Sequence, residues 1–227
     1  MTPVPATATG LADEIRAAAS GRDRLIMGIA GAPGAGKSTL AERLVALLSG
    51  AAVLIPMDGF HLADRVLHEL GRRDDKGGSD TYDVNGYLAL LRRLRQQHED
   101  VIYAPTFRRD LEEPIAASVA VPRRIPIVIT EGNYLLLDVV PWSEIRDLLD
   151  IACFVDIDHD TRVQRLVERH HAFGKPIEAA RKWAEGSDER NAALVDRSRH
   201  RADSIVWLTP EAGQVHATRP VSSQSAQ

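Results

Sequence analysis

Gly31-Ala32-Pro33-Gly34-Ala35-Gly36-Lys37-Ser38 is the stretch on which the reading of this chain turns. It fits the pattern G-x-x-x-x-G-K-[ST] in full. Gly31, Gly34 and Gly36 allow backbone angles and close approaches that a side chain would block, and the helix expected after the loop turns unpaired amides toward phosphate oxygens. Lys37 can then neutralise charge on the terminal phosphates of ATP or GTP, and Ser38 can ligate magnesium. Thr39 is a neighbouring hydroxyl on the same helix. Immediately before the loop, Leu25-Ile26-Met27-Gly28-Ile29-Ala30 reads as a buried strand. After it, Leu40, Leu44, Leu47 and Leu48 give residues 37–48 an apolar helical stripe. Strand, glycine-rich turn and helix in this order distinguish a phosphate cradle from an ordinary turn.

The same alternation continues outward from the loop. Apolar runs at 52–56, 125–130, 151–157 and 204–208 read as strands; 11–19, 84–97, 161–170 and 176–185 read as helices, with another beginning near Asp188. Gly71 to Gly78 is polar and glycine-rich, a loop expected to be mobile without ligand. Pro105, Pro114 and Pro122 break the rhythm, so 101–107 and 117–121 read as peripheral extended segments. The tail from Pro210 reads as irregular. This pattern predicts an α/β P-loop NTPase fold with a largely parallel central sheet flanked by helices. One domain over 1–227 is expected, with a substrate-side insertion near 101–122 and a helical lid near 161–191. Functional residues belong beyond the carboxyl ends of the strands.

Composition bounds the function. The chain has 227 residues, 44% of them hydrophobic, enough for one substantial core. Lys and Arg number 28 against 32 Asp and Glu, a net charge of −4, so a nucleic-acid partner is not expected. Met1 to Gly10 lacks the basic and apolar regions of a secretory signal, and no stretch approaches the ~20 apolar residues of a membrane span. A cytoplasmic protein with no membrane partner is expected. Cys153 is the single cysteine, which excludes an intramolecular disulfide, and its apolar run, 151–155, makes it a buried thiol.

Two carboxylates stand at strand ends. Asp58 follows the second apolar run and can orient or deprotonate a hydroxyl while Lys37 and magnesium stabilise a transferring phosphate; it can equally close an Asx turn before His61. Glu131 can organise magnesium or orient the nucleophile, or cap a loop.

Taken together with Met57-Asp58-Gly59-Phe60-His61, Asp80-Thr81-Tyr82-Asp83, Tyr103-Ala104-Pro105-Thr106-Phe107, Glu131-Gly132-Asn133-Tyr134, and Arg169-His170 with Asn191-Ala192, the phosphate loop gives the chain a family resemblance. It resembles the uridine kinase, phosphoribulokinase and bacterial pantothenate kinase superfamily, especially the fructose transport system kinase-like branch, over about 25–208. The resemblance implies a P-loop kinase that uses ATP and magnesium to phosphorylate a small-molecule hydroxyl, with a homodimer left open. It gives Asp58 the position of the catalytic carboxylate and associates Glu131 with magnesium or the acceptor.

Residues 162–169 resemble the superfamily's arginine-bearing lid, and a helix carrying Arg162, Arg165 and Arg169 can close over ATP. Arg169 is the first candidate for catalysis and Arg165 the second; Arg162 reads as part of a solvated face with Asp160 and Glu168. His61, Tyr82 and Asp83 are candidates for the acceptor pocket, although Asp80 and Asp83 can instead cap the next helix. Tyr134 is assigned to substrate or core packing, and Asn133 to ligand or a strand-end backbone group. The chain departs from the family at Phe107-Arg108-Arg109-Asp110, which lacks the tyrosine and histidine pattern of bacterial pantothenate kinases, and at Asp75, where a basic residue is usual. A nucleotide-dependent regulator and an ATPase without an acceptor are the competing functions.

Overall fold

β1 (Leu25–Gly31) is buried along its whole length, and the fold is built around it. Its side chains alternate between two apolar clusters. Leu25, Met27 and Ile29 pack with Leu40 and Leu44 of α2 (Lys37–Leu47), on the side that also holds α1 (Ala8–Ala19). Ile26 and Ala30 pack with Tyr87, Leu91 and Leu94 of α4 (Val84–Gln96). A strand covered on both faces belongs inside a parallel sheet. In the computed structural model, which describes residues 7–208 and 215–218, that is its place.

The remaining strands of the main sheet are β2 (Ala52–Pro56), β5 (Ile127–Gly132), β6 (Ile151–Asp156), β7 (Ser204–Leu208) and β8 (Val215–Thr218). Their order is β2-β5-β1-β6-β7-β8, parallel throughout except for the antiparallel β7–β8 pair. The expected α/β fold is therefore present. The loops after β2, β5 and β1 leave three neighbouring strands at one edge of the sheet, so Asp58, Asn133 and the phosphate loop are brought together by strand order alone. Pro56 stands beside Glu131 on one side of β5, and Ile29 beside it on the other.

β3 (Val101–Arg108) and β4 (Glu113–Pro122) form a separate antiparallel pair. The stretches read as two extended pieces are thus one hairpin. Its register shifts between Ala104 and Thr106, where Pro105 supplies no backbone donor. Buried Ile102, Ala104 and Val121 tie it to the α4 side of the core. At the 57–60 turn the chains come so close that a Cβ on Gly59 would lie 2.6 Å from the Pro105 carbonyl oxygen.

Several expectations need correction. β5 begins at Ile127, after Pro126, and runs through Glu131, which lies inside the strand. Gly71 to Gly78 carries a short helical turn over Arg73–Asp75 and several ion pairs: Arg72 with Asp75 and Asp80, Arg73 with Asp64 at 2.8 Å, and Lys76 with Asp64. The tail read as irregular from Pro210 contains β8, while its residues 210–214 and 219–227 lie outside the described residues. The charged helix expected over 161–170 is longer: α5 spans His159–Ala172, capped by the Asp158 side chain. It is followed by α6 (Ile177–Trp183), a π-helical turn over Ala184–Asp188 and α7 (Glu189–Asp196). Cys153 is fully buried, and burial pushes its thiol up to about 12. Among the described residues no helix is long and apolar enough to cross a membrane.

Candidate active site

The phosphate loop closes on itself as the Ala35 amide N–H donates to the Ala32 carbonyl at 3.1 Å, and α2 then starts without a side-chain cap. The first amides of the helix are thus left for an anion. Gly34, at φ 81°, takes the left-handed conformation, and a Cβ there would come within 2.7 Å of Leu166 of α5. The loop is thus seated against the helix that follows β6.

Lys37 points back into the loop. Its ammonium donates to the Ala32 carbonyl at 3.0 Å and to Asn133 Oδ1 at 2.7 Å, and burial lowers its pKa to about 8 despite the opposing charges of Glu131 and Asp58. Ser38 donates to Glu131 Oε1 at 2.9 Å. Thr39 is exposed beside it. Burial, then repulsion by Asp58, raises the pKa of Glu131 against the pull of Lys37 and Ser38. Asp58 behaves oppositely. Burial disfavours its charge, but His61, Arg109, Lys37 and Arg169 outweigh that and hold its carboxyl below the usual range. Two carboxylates with pKa values driven apart suit different roles.

A cleft of about 250 Å³ is lined by Pro33, Gly34, Lys37, Ser38, Asp58, Glu131, Asn133, Arg169 and residues around them. On one wall Tyr82 OH donates to Asp58 Oδ1 at 3.4 Å, and the His61 ring lies 4.1 Å from Tyr82 and 4.7 Å from Phe107. His61 Nδ1 lies 2.8 Å from the Asp58 carbonyl, which can only accept, so that nitrogen carries the proton. Burial lowers the His61 pKa. Arg169, which also lines the cleft, is mostly buried, and its Nε has no hydrogen-bond partner among the described residues. An unpartnered buried guanidinium donor in a phosphate-loop cleft fits a phosphate oxygen.

Other candidates stand elsewhere. Arg165 is not among the residues lining the cleft. Asp83 accepts from the Gly86 amide at 2.9 Å and caps α4, the alternative open at that position. Tyr134 is fully buried; its hydroxyl donates to the Gly77 carbonyl at 2.6 Å and its ring packs against Trp142. Arg162 is the clearest departure. Far from lying on a solvated face, it is 5% exposed, held between Glu189 and the Pro33 carbonyl. Asp160 is taken instead by His159, and Glu168 by Gln164.

Arg109 is the main participant that sequence reasoning left out of the site. It projects from the hairpin turn to 3.5 Å from Asp58. Lys76, packed over the Phe107 ring at 5.3 Å, also lines the cleft, as do Trp183 and the His170–Asp188 pair, whose atoms are 2.7 Å apart. The basic dipeptide Arg108-Arg109 was a usable signal, but only the folded hairpin selects the second residue.

Magnesium fits the donors present. The Ser38 hydroxyl and the Glu131 carboxylate are adjacent hard oxygens, and no cluster of three or more acidic, histidine or cysteine ligands occurs among the described residues. That suits a cation held mainly by phosphate and water oxygens.

Comparison with known proteins identifies the family. The model of the Phosphoribulokinase / Uridine kinase family matches residues 26–213. A candidate uridine kinase of Schizosaccharomyces pombe is 31% identical over 199 residues, covering 82% of this chain and 83% of that protein. A pantothenate kinase of Enterococcus faecalis is 32% identical over 161 residues, 68% of this chain and 51% of that protein. The crystal structure of a candidate fructose transport system kinase from Silicibacter sp. TM1040 superposes with a TM-score of 0.79 at 33% identity, covering 86% of this chain and 96% of that one. With its phosphate loop, its strand order and this span of similarity, the chain belongs to the phosphoribulokinase and uridine kinase family.

Proposed function

We propose that this protein is an ATP- and magnesium-dependent kinase that transfers the γ-phosphate to a hydroxyl of a sugar, nucleoside or pantothenate-like metabolite. The observation that carries the reading is the meeting of Lys37 and Asp58 in one cleft, each within the electrostatic reach of the other. Lys37 and the α2 amides hold the donor phosphates, and Asp58 receives or orients the acceptor hydroxyl proton. Arg169 meets charge that grows on the transferring group. Ser38 and Glu131 are the residues that would hold magnesium, which when bound neutralises phosphate charge. Helices α5 to α7 act as the lid, and the β3–β4 hairpin forms the acceptor wall. The similar proteins bear names pointing to a nucleoside, a sugar and pantothenate, which supports that range of acceptors.

The test is a metabolite screen with mass detection of phosphorylated product, run on wild type, Lys37→Ala and Asp58→Asn. A product in wild type that both substitutions suppress is the expected result. Wild-type transfer by Asp58→Asn at saturating ATP would remove Asp58 from the chemistry. Phosphate release without product would favour an ATPase, and ATP-dependent capture of a partner without turnover a regulator.

A further inference from the structure

The ion pair between Arg109 and Asp58 is at odds with Asp58 as a proton acceptor. A guanidinium beside a carboxylate stabilises the charged form and makes it a weaker base. The pair is also loose: 3.5 Å is well beyond the ~2.7–2.9 Å of a good charge-assisted hydrogen bond, and the Arg109 side chain is 41% exposed. The other cations on this wall are already committed. Arg73 and Lys76 share the Asp64 carboxylate, and Lys76 also donates to the Glu112 carbonyl. Glu112, whose backbone carbonyl occupies Lys76, lines the same cleft. Arg109 is the cation on the acceptor wall most easily drawn away.

We propose that Arg109 recognises an anionic group, a carboxylate or a phosphate, on the acceptor, and that binding exchanges its ion pair with Asp58 for one with the acceptor. This rests on the kinase reading and narrows it to charged acceptors. The exchange leaves Asp58 facing the acceptor hydroxyl at the moment that hydroxyl arrives. A neutral acceptor has nothing to offer Arg109 and meets a carboxylate still paired. Specificity thus comes from releasing the base as well as from holding the substrate.

Matched probes test this. With magnesium and a non-hydrolysable ATP analogue saturating, calorimetry compares D-glycerate with glycerol and D-ribose 5-phosphate with D-ribose. In at least one pair the charged member should bind about tenfold or more tightly, as expected for a charge-assisted contact. The discriminating pair tells carboxylate from phosphate. Arg109→Gln should bring the ratio to within about threefold, Arg109→Lys should keep part of it, and Arg108→Gln, whose native guanidinium pairs with Asp110, should leave it unchanged. The proposal is overturned if neither pair discriminates, if Arg109→Gln preserves the ratio, or if it weakens the ATP analogue instead. Efficient phosphorylation of a neutral acceptor, unaffected by Arg109→Gln, would sink the proposal while the kinase reading stands. Charge discrimination with no phosphorylated product in the metabolite screen would sink the kinase reading and leave the anion site.

Discussion

Ser38 Oγ donates to Glu131 Oε1 at 2.9 Å, joining the first turn of α2 to the end of β5. The contact holds two hard oxygens, the proposed magnesium ligands, together beside the phosphate loop. Ser38→Ala should raise the magnesium concentration for half-maximal turnover about tenfold, within the 10–100-fold cost typical of disturbed metal shells. A magnesium titration of the variant checks this, and an unchanged curve would count against the assignment. Chelation by EDTA should abolish turnover.

Asp58→Asn should lower kcat by about 10²–10⁴ while the affinity for an ATP analogue changes little. The depressed pKa of Asp58 keeps it ionised as pH falls from neutrality to the ordinary carboxylate range, so its own acid limb lies below that range. An acid limb above it fits Glu131, whose pKa is raised, or His61, whose pKa burial lowers from the ordinary imidazole value; Glu131→Gln removes only the first. The pH dependence of kcat/KM separates the two.

Lys37, with its pKa near 8, loses the charge that meets phosphate as pH rises through that value. ATP affinity should fall over the same interval. Because phosphate favours the ammonium, binding at about pH 8.5 should draw a proton into the site, which calorimetry in buffers of different ionisation enthalpy reads directly. The sign for folding is opposite. The folded chain binds fewer protons at Lys37 than the unfolded chain between about 8 and 10.5, so this residue's contribution to stability rises with pH across that window.

Arg169→Ala should reduce kcat at least about a hundredfold, approaching the range of a transition-state arginine, with partial rescue by Arg169→Lys. Arg165→Ala should stay within about threefold of wild type, because Arg165 does not line the cleft. Equal losses in the two variants would mean that α5 matters only as a body.

Thr130 bridges two parts of the core: its hydroxyl donates to the Ile55 carbonyl at 2.6 Å and accepts from Tyr87. Thr130→Val leaves the buried Tyr87 hydroxyl without its partner, at a cost of about 1–3 kcal/mol. A drop in Tm of roughly 3–10 °C is expected for a chain of this size.

The donor half of the site was legible because its constraints are local. The geometry of a phosphate loop needs Gly34, Lys37 and Ser38 within a few consecutive residues, and buried parallel strands announce themselves as apolar runs. Arg162 was misread because three arginines at helical spacing share neighbouring faces, and only the seating of α5 against Gly34 turns one of them inward. Arg109 escaped because its partner is 51 positions away, across a hairpin whose docking no periodicity encodes. Glu131 was placed near its true position, but as a loop residue, since an apolar run does not show where a strand stops.

The hairpin shares no backbone ladder with the main sheet; it is attached by side-chain burial and by the close passage of Gly59 beneath Pro105. Its tip can therefore lengthen, shorten or change residues while α2, which presents Lys37, and β5, which presents Glu131, keep their places. On the proposed reading of the hairpin as the acceptor wall, such a scaffold lets acceptor preference vary independently of the machinery for phosphate.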